Sequence, residues 1–342
     1  MTQRMTGRAV LEVLDGGILT TVQDGGRPDL GHLGVPLGGA CDPWGLAVAN
    51  LVAGNPPTAP ALETTVAGLV LRVLSTALVG IGGADLGAVV RPVGQRLMPG
   101  ATYRLSAGDE IAFPGPPDGR RGVRAYVALP GGLDVPIVLG SASTCLAGGF
   151  GGLDGRPLRR GDQLAARAAG PPAGPELRIG GGATDRASAQ TDAPTSVHVL
   201  RGPDDEAGAA LVALAGGAWR VGVEADRMGI RLDGPTLPPA GPSARPSHGV
   251  TWGTIQLPPD GRPIVLLADA QPTGGYPVVG VAISADRPIL GQLRPGDPVR
   301  FVETTVEAAR AALRASDDRL RAAIDELADA ARWEELWHGA GG

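Results

Sequence analysis

Short apolar runs separated by turn-forming residues dominate the chain and predict a protein built mainly of β-strands. The run at 264–267 is typical, since four aliphatic residues lie between segments rich in Gly, Pro and Asp. The many turns that such a fold requires are supplied by 55 Gly and 32 Pro. We therefore expect a mainly β fold with a few short helices.

One turn pattern occurs three times along the chain. The sequence L-x-x-G-D-x followed by an apolar residue is found at 105–111, 158–164 and 293–299. Each copy predicts a Gly-Asp turn that leads into a strand. Because two copies lie in the N-terminal half and one lies near the end, the pattern indicates two β units of related design.

The stretch from 166 to 194 differs in composition from the rest of the chain. It is rich in Ala, Gly, Pro, Ser, Thr and Asp, which favours a connecting segment with at most one short strand near 177–179. We predict an N-terminal β domain, a linker, a C-terminal β-barrel domain and a helical tail, with the bounds 1–170, 171–194, 195–303 and 304–342.

Three helices are predicted. Asp42 and Pro43 have the chemistry of an N-cap and a first helical residue, and Gly54 ends that helix. A second helix is expected from Asp204 onwards and a third over about 306–337. The third carries an apolar stripe that we expect to pack on the body of the protein. The stripe comprises Leu313, Leu320, Ile324, Leu327 and Ala331.

Composition narrows the possible functions. The net charge of −5 disfavours a nucleic-acid-binding surface. Lysine is absent and all 30 basic residues are arginine, so the chain has no lysine for a Schiff base, a phosphate-binding loop or biotin attachment. Two cysteines and four scattered histidines show no metal-ligand spacing, and we expect no metal. No signal peptide or 18-residue apolar stretch is evident, which favours a cytoplasmic protein.

The segment 269–277, DAQPTGGYP, carries the most informative polar residues. Asp269 follows the apolar run at 264–267, and Thr273, Gly274, Gly275 and Tyr276 come shortly after it. Glycines permit close approach of the backbone, and tyrosine offers a flat face with one polar tip. The combination suits a small polar or planar ligand. The alternative is a turn between two strands in which Asp acts as a turn former.

A second concentration of polar groups lies in the segment 22–55. Gln23, Asp24 and Arg27 are expected in a glycine-rich loop, where the carboxylate and guanidinium could pair or bind a ligand carboxylate. Asn50 lies on the predicted helix among apolar residues, so its amide needs a hydrogen-bond partner. The alternative interpretation is a set of hydrogen bonds that fix the loop.

Three hydroxyl groups form the third candidate. Ser141, Ser143 and Thr144 follow what we predict to be a buried strand and precede a glycine-rich stretch. Such hydroxyls could cradle an oxyanion or a carboxylate. The spacing does not fit the G-x-S-x-G nucleophile elbow, and no histidine is singled out for a triad, which disfavours covalent serine catalysis.

Taken in order, blocks covering most of residues 10–303 resemble the biotin-dependent carboxyltransferase-like family. This family includes allophanate hydrolase subunit 2, the 5-oxoprolinase subunit designated C, and KipA-like proteins. The blocks are TVQDGGRPDLGHLGVPLGGACDPWGLAVANLVAGN, ALETTVAGLVL, GGLDVPIVLGSASTCLAGGFGGLDGRPLRRGDQL, DRMGIRLDGPTL and GTIQLPPDGRPIVLLADAQPTGGYPVVGVAISADRPILGQLRPGDPVRF. The resemblance implies two cyclophilin-like β-barrel domains.

The resemblance also implies roles for individual residues. Asp269 and Asn50 match positions expected at the urea and biotin site of carboxyltransferase relatives, and they are our candidate catalytic residues. Asp269 would accept a hydrogen bond or proton from a substrate N–H, and Asn50 would orient the substrate. The candidate substrate-binding residues are Gln23, Asp24, Arg27, Ser141, Ser143, Thr144, Thr273, Gly274, Gly275 and Tyr276.

Partners and cofactors follow from the same resemblance. It implies a hetero-oligomer with a subunit 1 homologue (KipI-like) and, in 5-oxoprolinases, a third lactam-hydrolysing subunit that uses ATP. Two departures from the family pattern bear on the substrate. Ala142 stands where an arginine is usual, and the chain lacks the lysine that carboxyltransferase relatives use. Both favour hydrolysis of a small amide or lactam, such as 5-oxoproline or an allophanate-like ureide, with no covalently bound cofactor.

Other functions remain open at this point. The chain could be a regulatory binding protein paired with a KipI-like histidine-kinase inhibitor. It could also be the carboxyltransferase half of a urea-carboxylase-like biotin enzyme, or a stand-alone binder of small molecules.

Overall fold

The computed structural model describes residues 8–167, 176–179, 193–205, 208–240 and 246–339, with the backbone alone for 331–339. The chain divides into two units. Unit 1 takes its described residues from 1–26, 42–190 and 317–342, and unit 2 takes its own from 27–41 and 191–316. Most of the predicted linker at 171–194 lies outside the described residues, so the predicted domain boundaries stay a prediction.

Unit 1 contains two antiparallel sheets. One has the strand order β11-β1-β4-β9-β6-β7 and the other β2-β3-β10-β5-β8. Alternate residues of β4, such as Leu69 and Leu71, lie in the apolar core. The strands are β1 (Ala9–Gly16), β2 (Leu19–Gln23), β3 (Ala61–Thr65), β4 (Leu69–Val73), β5 (Ala77–Gly83), β6 (Val89–Arg91), β7 (Gln95–Arg96), β8 (Ala101–Leu105), β9 (Glu110–Ala112), β10 (Arg124–Ala128) and β11 (Gln163–Ala165).

Unit 2 contains a closed seven-stranded barrel with the order β12-β19-β16-β17-β14-β13-β20. Strands β12 and β20 pair in parallel, and a separate antiparallel pair, β15 with β18, forms a small two-stranded sheet. The strands are β12 (Thr195–Arg201), β13 (Trp219–Ala225), β14 (Gly229–Asp233), β15 (His248–Gly249), β16 (Thr254–Gln256), β17 (Ile264–Leu266), β18 (Thr273–Gly274), β19 (Val278–Ala282) and β20 (Pro298–Glu303). The predicted mainly β, barrel-containing fold is confirmed.

Four α-helices complete the described structure, and they are α1 (Pro43–Val52), α2 (Ala209–Gly216), α3 (Arg287–Leu290) and α4 (Val306–Gly339). The Asp42 cap of α1 is confirmed, because its carboxylate accepts a hydrogen bond from Gly45 N at 2.8 Å. Helix α2 begins later than predicted, after Gly208 in a left-handed conformation, and the Asp205 carboxylate accepts from the amides of its first turn. No helix in the described part of the chain is long and apolar enough to span a membrane.

The predicted tail helix is confirmed as α4, but its buried stripe differs from the prediction. Leu327 and Ala323 are buried against Val48 and Val52 of α1. Ile324, by contrast, is 38% exposed and Leu313 is 41% exposed. The contact surface of this helix is therefore narrower than its sequence pattern predicted, and the side chain of Ala331 lies outside the described residues.

The three Gly-Asp turns have the same hydrogen-bond pattern in both units. Asp109, Asp162 and Asp297 each accept, through the side chain, from the amide three residues earlier, at 2.7, 2.8 and 3.1 Å. The glycine before each Asp has φ of 97°, 88° and 89°, a conformation that favours glycine. The aspartate carbonyls accept from Val73, Val13 and Val221. The predicted turns are confirmed.

One predicted strand does not form. The residues before Ser141 carry two isolated bridges, Leu133 with Ala166 and Val138 with Ser141, and Leu139 has φ 52° in the turn of the second. Ile137 and Leu139 are half exposed. Pro136 has no N–H for a ladder, and the tight turn leaves too few residues for a strand. The hydroxyls of 141–144 therefore follow a turn, and the prediction of a buried strand there was wrong.

Candidate functional site

Asp269 lies in unit 2, three residues after the end of β17, and it forms a buried ion pair with Arg227. Its two carboxylate oxygens accept from Arg227 Nε at 2.8 Å and from Nη2 at 2.9 Å. The side chains of Arg227 and Asp269 are 3% and 8% exposed. A bidentate pair of this kind is among the stronger polar contacts in proteins and fixes the orientation of both groups.

Arg227 also connects the pair to the segment 27–41. Its Nη2 donates to the Gly39 carbonyl at 2.7 Å, and its Nη1 lies 3.4 Å from the Cys41 sulfur. The backbone adds two more links, from Asp269 N to Arg227 O at 2.9 Å and from Gly38 N to Ala268 O at 2.8 Å. The pair thus positions three parts of unit 2, and the catalytic role of Asp269 stays a prediction.

The first glycine of the DAQPTGGYP segment belongs to the small two-stranded sheet. Thr273 and Gly274 form β18 and pair with Gly249 and His248 of β15. A Cβ atom on Gly274 would lie 2.2 Å from Nε2 of the buried Gln256, which explains why this position is a glycine. Gly275 is half-buried, and Tyr276 beside it is 43% exposed. The expected close approach of the backbone at Gly274 is present.

A pocket of about 200 Å³ lies beside the Asp269 pair within unit 2. Ala268 and Ala270, on either side of Asp269, contribute to its wall. The buried residues Arg27 and Trp252 also line it. Drug-sized ligands need about 300 Å³ or more, so this pocket suits a smaller molecule. The remaining lining residues are Asp29, Gly31, Val35, Leu37, Val250, Thr251, Leu267, Gln271 and Pro272.

Asp24 is the centre of a separate polar cluster in unit 1, which we call the Asp24 cluster: Asp24, Ser141, Ala142 and Ser143. The Asp24 carboxylate accepts from the Ser141 hydroxyl at 2.5 Å, from the Ser143 hydroxyl and from the Ala142 amide at 2.6 Å. The Ser143 oxygen in turn accepts from Asp24 N at 3.0 Å. Both hydroxyl hydrogens are therefore directed at Asp24, which gives these residues a structural role. Their substrate-binding role stays a prediction.

Gln23 and Thr144 flank this cluster. The Gln23 amide donates to Thr21 Oγ1 at 3.0 Å and to the Thr144 carbonyl at 3.3 Å. The Thr144 amide donates to Val22 O at 2.9 Å. Five of the predicted substrate-binding residues thus come together in unit 1, and they join the end of β2 to the segment 141–144.

Asn50 has the buried partners that its position requires. Its Nδ2 donates to the carbonyls of Ala59 at 2.8 Å and Pro57 at 3.3 Å, and its Oδ1 accepts from Asn55 at 3.0 Å. Asn55 continues the chain of bonds to Leu129 O at 2.8 Å. The expected amide partners are confirmed, and the proposed role of Asn50 in catalysis stays a prediction.

Three residues of this region, Arg227, Trp252 and Gln256, were not among the predicted site residues. Arg227 lies in a short turn between β13 and β14, and nothing local marks it among the arginines of the chain. Its partner Asp269 is 42 residues away. The usable signal was the block DRMGIRLDGPTL, in which an arginine closely precedes a strand whose alternate residues are buried.

Family membership fits this strand-rich architecture. The chain belongs to the family of carboxyltransferase domains, subdomains A and B, whose sequence model matches residues 33–303. It is similar to the 5-oxoprolinase subunit designated C of Escherichia coli, with 35% identity over 91% of this chain and 96% of that protein.

Two solved structures are also similar. TTHA0988 has a TM-score of 0.77 and 34% identity over 87% of this chain, and the match spans 57% of the TTHA0988 chain. The urea carboxylase of Kluyveromyces lactis has a TM-score of 0.81 and 27% identity over 92% of this chain, but the match spans only 29% of that larger protein.

Proposed function

We propose that this chain is a subunit of a 5-oxoprolinase-type enzyme that hydrolyses a small amide or lactam together with a subunit 1 homologue. The observation that carries the proposal is the coverage of the match. The alignment with the Escherichia coli 5-oxoprolinase subunit covers 96% of that protein, and the Haemophilus influenzae protein of the same name is covered over 99% at 31% identity. A relative that aligns over nearly its whole length is a better guide to the function of a chain than a larger protein that aligns over a small part.

The geometry of unit 2 supports a small planar substrate. The pocket is about 200 Å³ and combines an indole wall with a guanidinium and the polar side chain of Gln271. A five-membered lactam has one flat face to stack on Trp252 and an amide that needs polar partners. Asp269, held by Arg227, lies between two residues of the pocket wall and would accept the substrate N–H.

The assembled enzyme would contain more than this chain. We propose a hetero-oligomer with a subunit 1 homologue and a third subunit that hydrolyses the lactam with ATP. The TTHA0988 chain extends well beyond its match to this one, so a relative of this chain is covalently joined to further protein. That arrangement supports a protein that functions in association with others.

A second candidate function is the carboxyltransferase half of a urea-type biotin enzyme. The TM-score of 0.81 to the urea carboxylase of Kluyveromyces lactis favours it. Two features of the sequence favour lactam hydrolysis instead, namely the absence of lysine and Ala142 in place of the family's usual arginine. Carboxyl transfer would need a cation to stabilise the developing charge, and no lysine of this chain could supply it.

The test is turnover of 5-oxoproline with ATP by the proteins encoded beside this chain, with and without it. We expect glutamate to form only when all subunits are present, and the Asp269→Asn variant to lower the rate at least tenfold. Asp260→Asn is the matched control, because Asp260 is an exposed carboxylate of the same unit that pairs with Arg231. Equal glutamate formation without this chain would contradict the proposal, and biotin-dependent carboxylation of urea would establish the second candidate.

A further inference from the structure

Arg287 is a half-buried cation, and no carboxylate pairs with it within the described residues. It is the first residue of α3, and its Nε is buried without a hydrogen-bond partner in that part of the structure. The neighbouring carboxylate, Asp286, is occupied by His198, whose backbone N and ring Nδ1 lie 2.7 and 2.8 Å from its Oδ2. Arg287 therefore differs from Arg227, whose charge is matched by Asp269.

The Arg287 side chain instead contacts an aromatic ring. Its guanidinium carbon lies 5.0 Å from the centre of the Trp252 ring, which is a cation–π contact. Burial lowers the pKa of Arg287 below its ordinary value, as expected for a charge removed from water. A cation–π contact compensates only part of the loss of hydration.

Trp252 connects this charge to the pocket. The indole is only 5% exposed, and it forms part of the wall that Arg27 also lines. Among the described residues of that wall the acidic one is Asp29, which is an exposed residue. Arg287 adds a positive charge at the indole, and positive charge beside a low-dielectric wall attracts anions.

We propose that Arg287, through Trp252, makes this pocket selective for a small amide that carries a carboxylate. The proposal deepens the proposed function, on which it rests for the choice of a lactam as ligand. The indole would support the flat ring, and the positive charge of Arg287 and Arg27 would favour the carboxylate. 5-Oxoproline has both features, whereas urea is neutral. Arg287 is a specificity-determining residue in this account, since it acts on the ligand through the tryptophan.

The test compares two ligands that share a lactam ring and differ by the carboxylate. Calorimetric titration of the full-length chain with 5-oxoproline and with 2-pyrrolidinone gives a ratio of dissociation constants. We expect the wild-type chain to bind 5-oxoproline at least tenfold more tightly. Arg287→Met should reduce that ratio below threefold, and Arg287→Lys should retain most of it. Arg300→Met is the matched control, since Arg300 is an exposed arginine of the same barrel that donates to Ser196.

Trp252→Phe provides a second variant in case the loss of Arg287 disturbs folding. It retains a smaller aromatic wall and should weaken both ligands while preserving part of the ratio. Equal binding of the two lactams by the wild-type chain, an unchanged ratio in Arg287→Met, or no binding of either lactam at saturating concentration would each overturn the proposal. Selective binding of 5-oxoproline without turnover in the assembled proteins would keep this inference and reject the proposed function.

Discussion

Two buried aspartates, one in each unit, have opposite kinds of partners. Asp24 in unit 1 accepts from two hydroxyls and from backbone amides, all of them neutral. Asp269 in unit 2 accepts from a guanidinium on both oxygens and lies beside a pocket. The neutral cluster joins two segments of unit 1, whereas the ion pair lies next to residues that line a cavity. A buried aspartate near a strand end is thus stabilised in two ways, by neutral donors in unit 1 and by a cation in unit 2.

The largest expected effect comes from removing the charge of Asp269. Asp269→Asn leaves Arg227 buried without a counter-charge, and breaking such a pair costs about 3–5 kcal/mol of unfolding free energy. Urea denaturation measures this effect. The double variant Asp269→Leu with Arg227→Met should recover more than half of the loss, since it buries no charge. A loss below about 1 kcal/mol in Asp269→Asn would contradict the buried pair.

The next largest loss of stability is expected on removal of Asp24, whose partners are neutral. Asp24→Ala leaves the two serine hydroxyls and the Ala142 amide without their acceptor, which we expect to cost about 2–3 kcal/mol. Because no charge is left behind, the loss should be smaller than in Asp269→Asn. Asp15→Ala is the control, since Asp15 is exposed and accepts from the nearby Gly17 N. If Asp24→Ala destabilised the chain more than Asp269→Asn, the comparison would be reversed.

The ion pair of a third aspartate, Asp162, is less buried than that of Asp269. It therefore shows how burial changes the contribution of such a pair to stability. Asp162 accepts from Arg156 Nη1 and Nη2 at 2.7 and 2.8 Å and from the Arg159 amide, while the Arg156 side chain is 24% exposed. We expect Asp162→Asn to cost about 1–2 kcal/mol at pH 7, since this pair is partly solvated. Asp154→Asn is the control, because Asp154 is 56% exposed and lies 4.0 Å from Arg156.

The stability that Asp162 contributes also depends on pH. Burial alone would raise the pKa of Asp162, but the hydrogen bonds from Arg156 and the Arg159 amide outweigh burial and lower it. A carboxyl whose folded pKa is lowered contributes stability above its unfolded pKa and loses it as the pH falls through the folded value. The difference between the native chain and Asp162→Asn should therefore hold at about pH 6–8 and shrink below about pH 4. A difference that grew on acidification would contradict the assignment.

The smallest effect concerns the two-stranded sheet beside the pocket. In Gly274→Ala the new methyl group would meet Gln256 Nε2, the end of a flexible but buried side chain. Displacing it should cost about 1 kcal/mol. The double variant with Gln256→Ala should be more stable than Gly274→Ala, because the obstruction is gone. Thermal unfolding of the single and double variants checks this, and an unfavourable coupling of the two changes would show that another contact excludes a side chain.

Local features of the fold were predictable from the sequence. The Gly-Asp turns and the cap at Asp42 are encoded by residues within four positions of one another, and the long terminal helix by its repeating pattern. Such short-range chemistry leaves a signature in the sequence. The strand expected before Ser141 failed for a local reason too, since Pro136 and the turn at Leu139 outweigh a short apolar run.

The polar partners were not predictable, because they depend on distant parts of the chain. Asp24 and its hydrogen-bond partner Ser141 are 117 residues apart in sequence, and Arg227 and Gly39 are 188 apart. Partners so far apart in sequence produce no local residue pattern from which the contact could be predicted. The grouping of 27–41 with unit 2 was not predictable for the same reason. Cys41 belongs to the barrel core, although it lies far from the barrel strands in sequence.

The most direct measurement is a crystal structure of the full-length chain soaked with 5-oxoproline. We expect electron density for the ligand in the pocket of unit 2, with the lactam ring against Trp252 and the carboxylate toward Arg27. Ligand bound at the serines around Asp24, with the unit 2 pocket empty at saturation, would contradict this expectation.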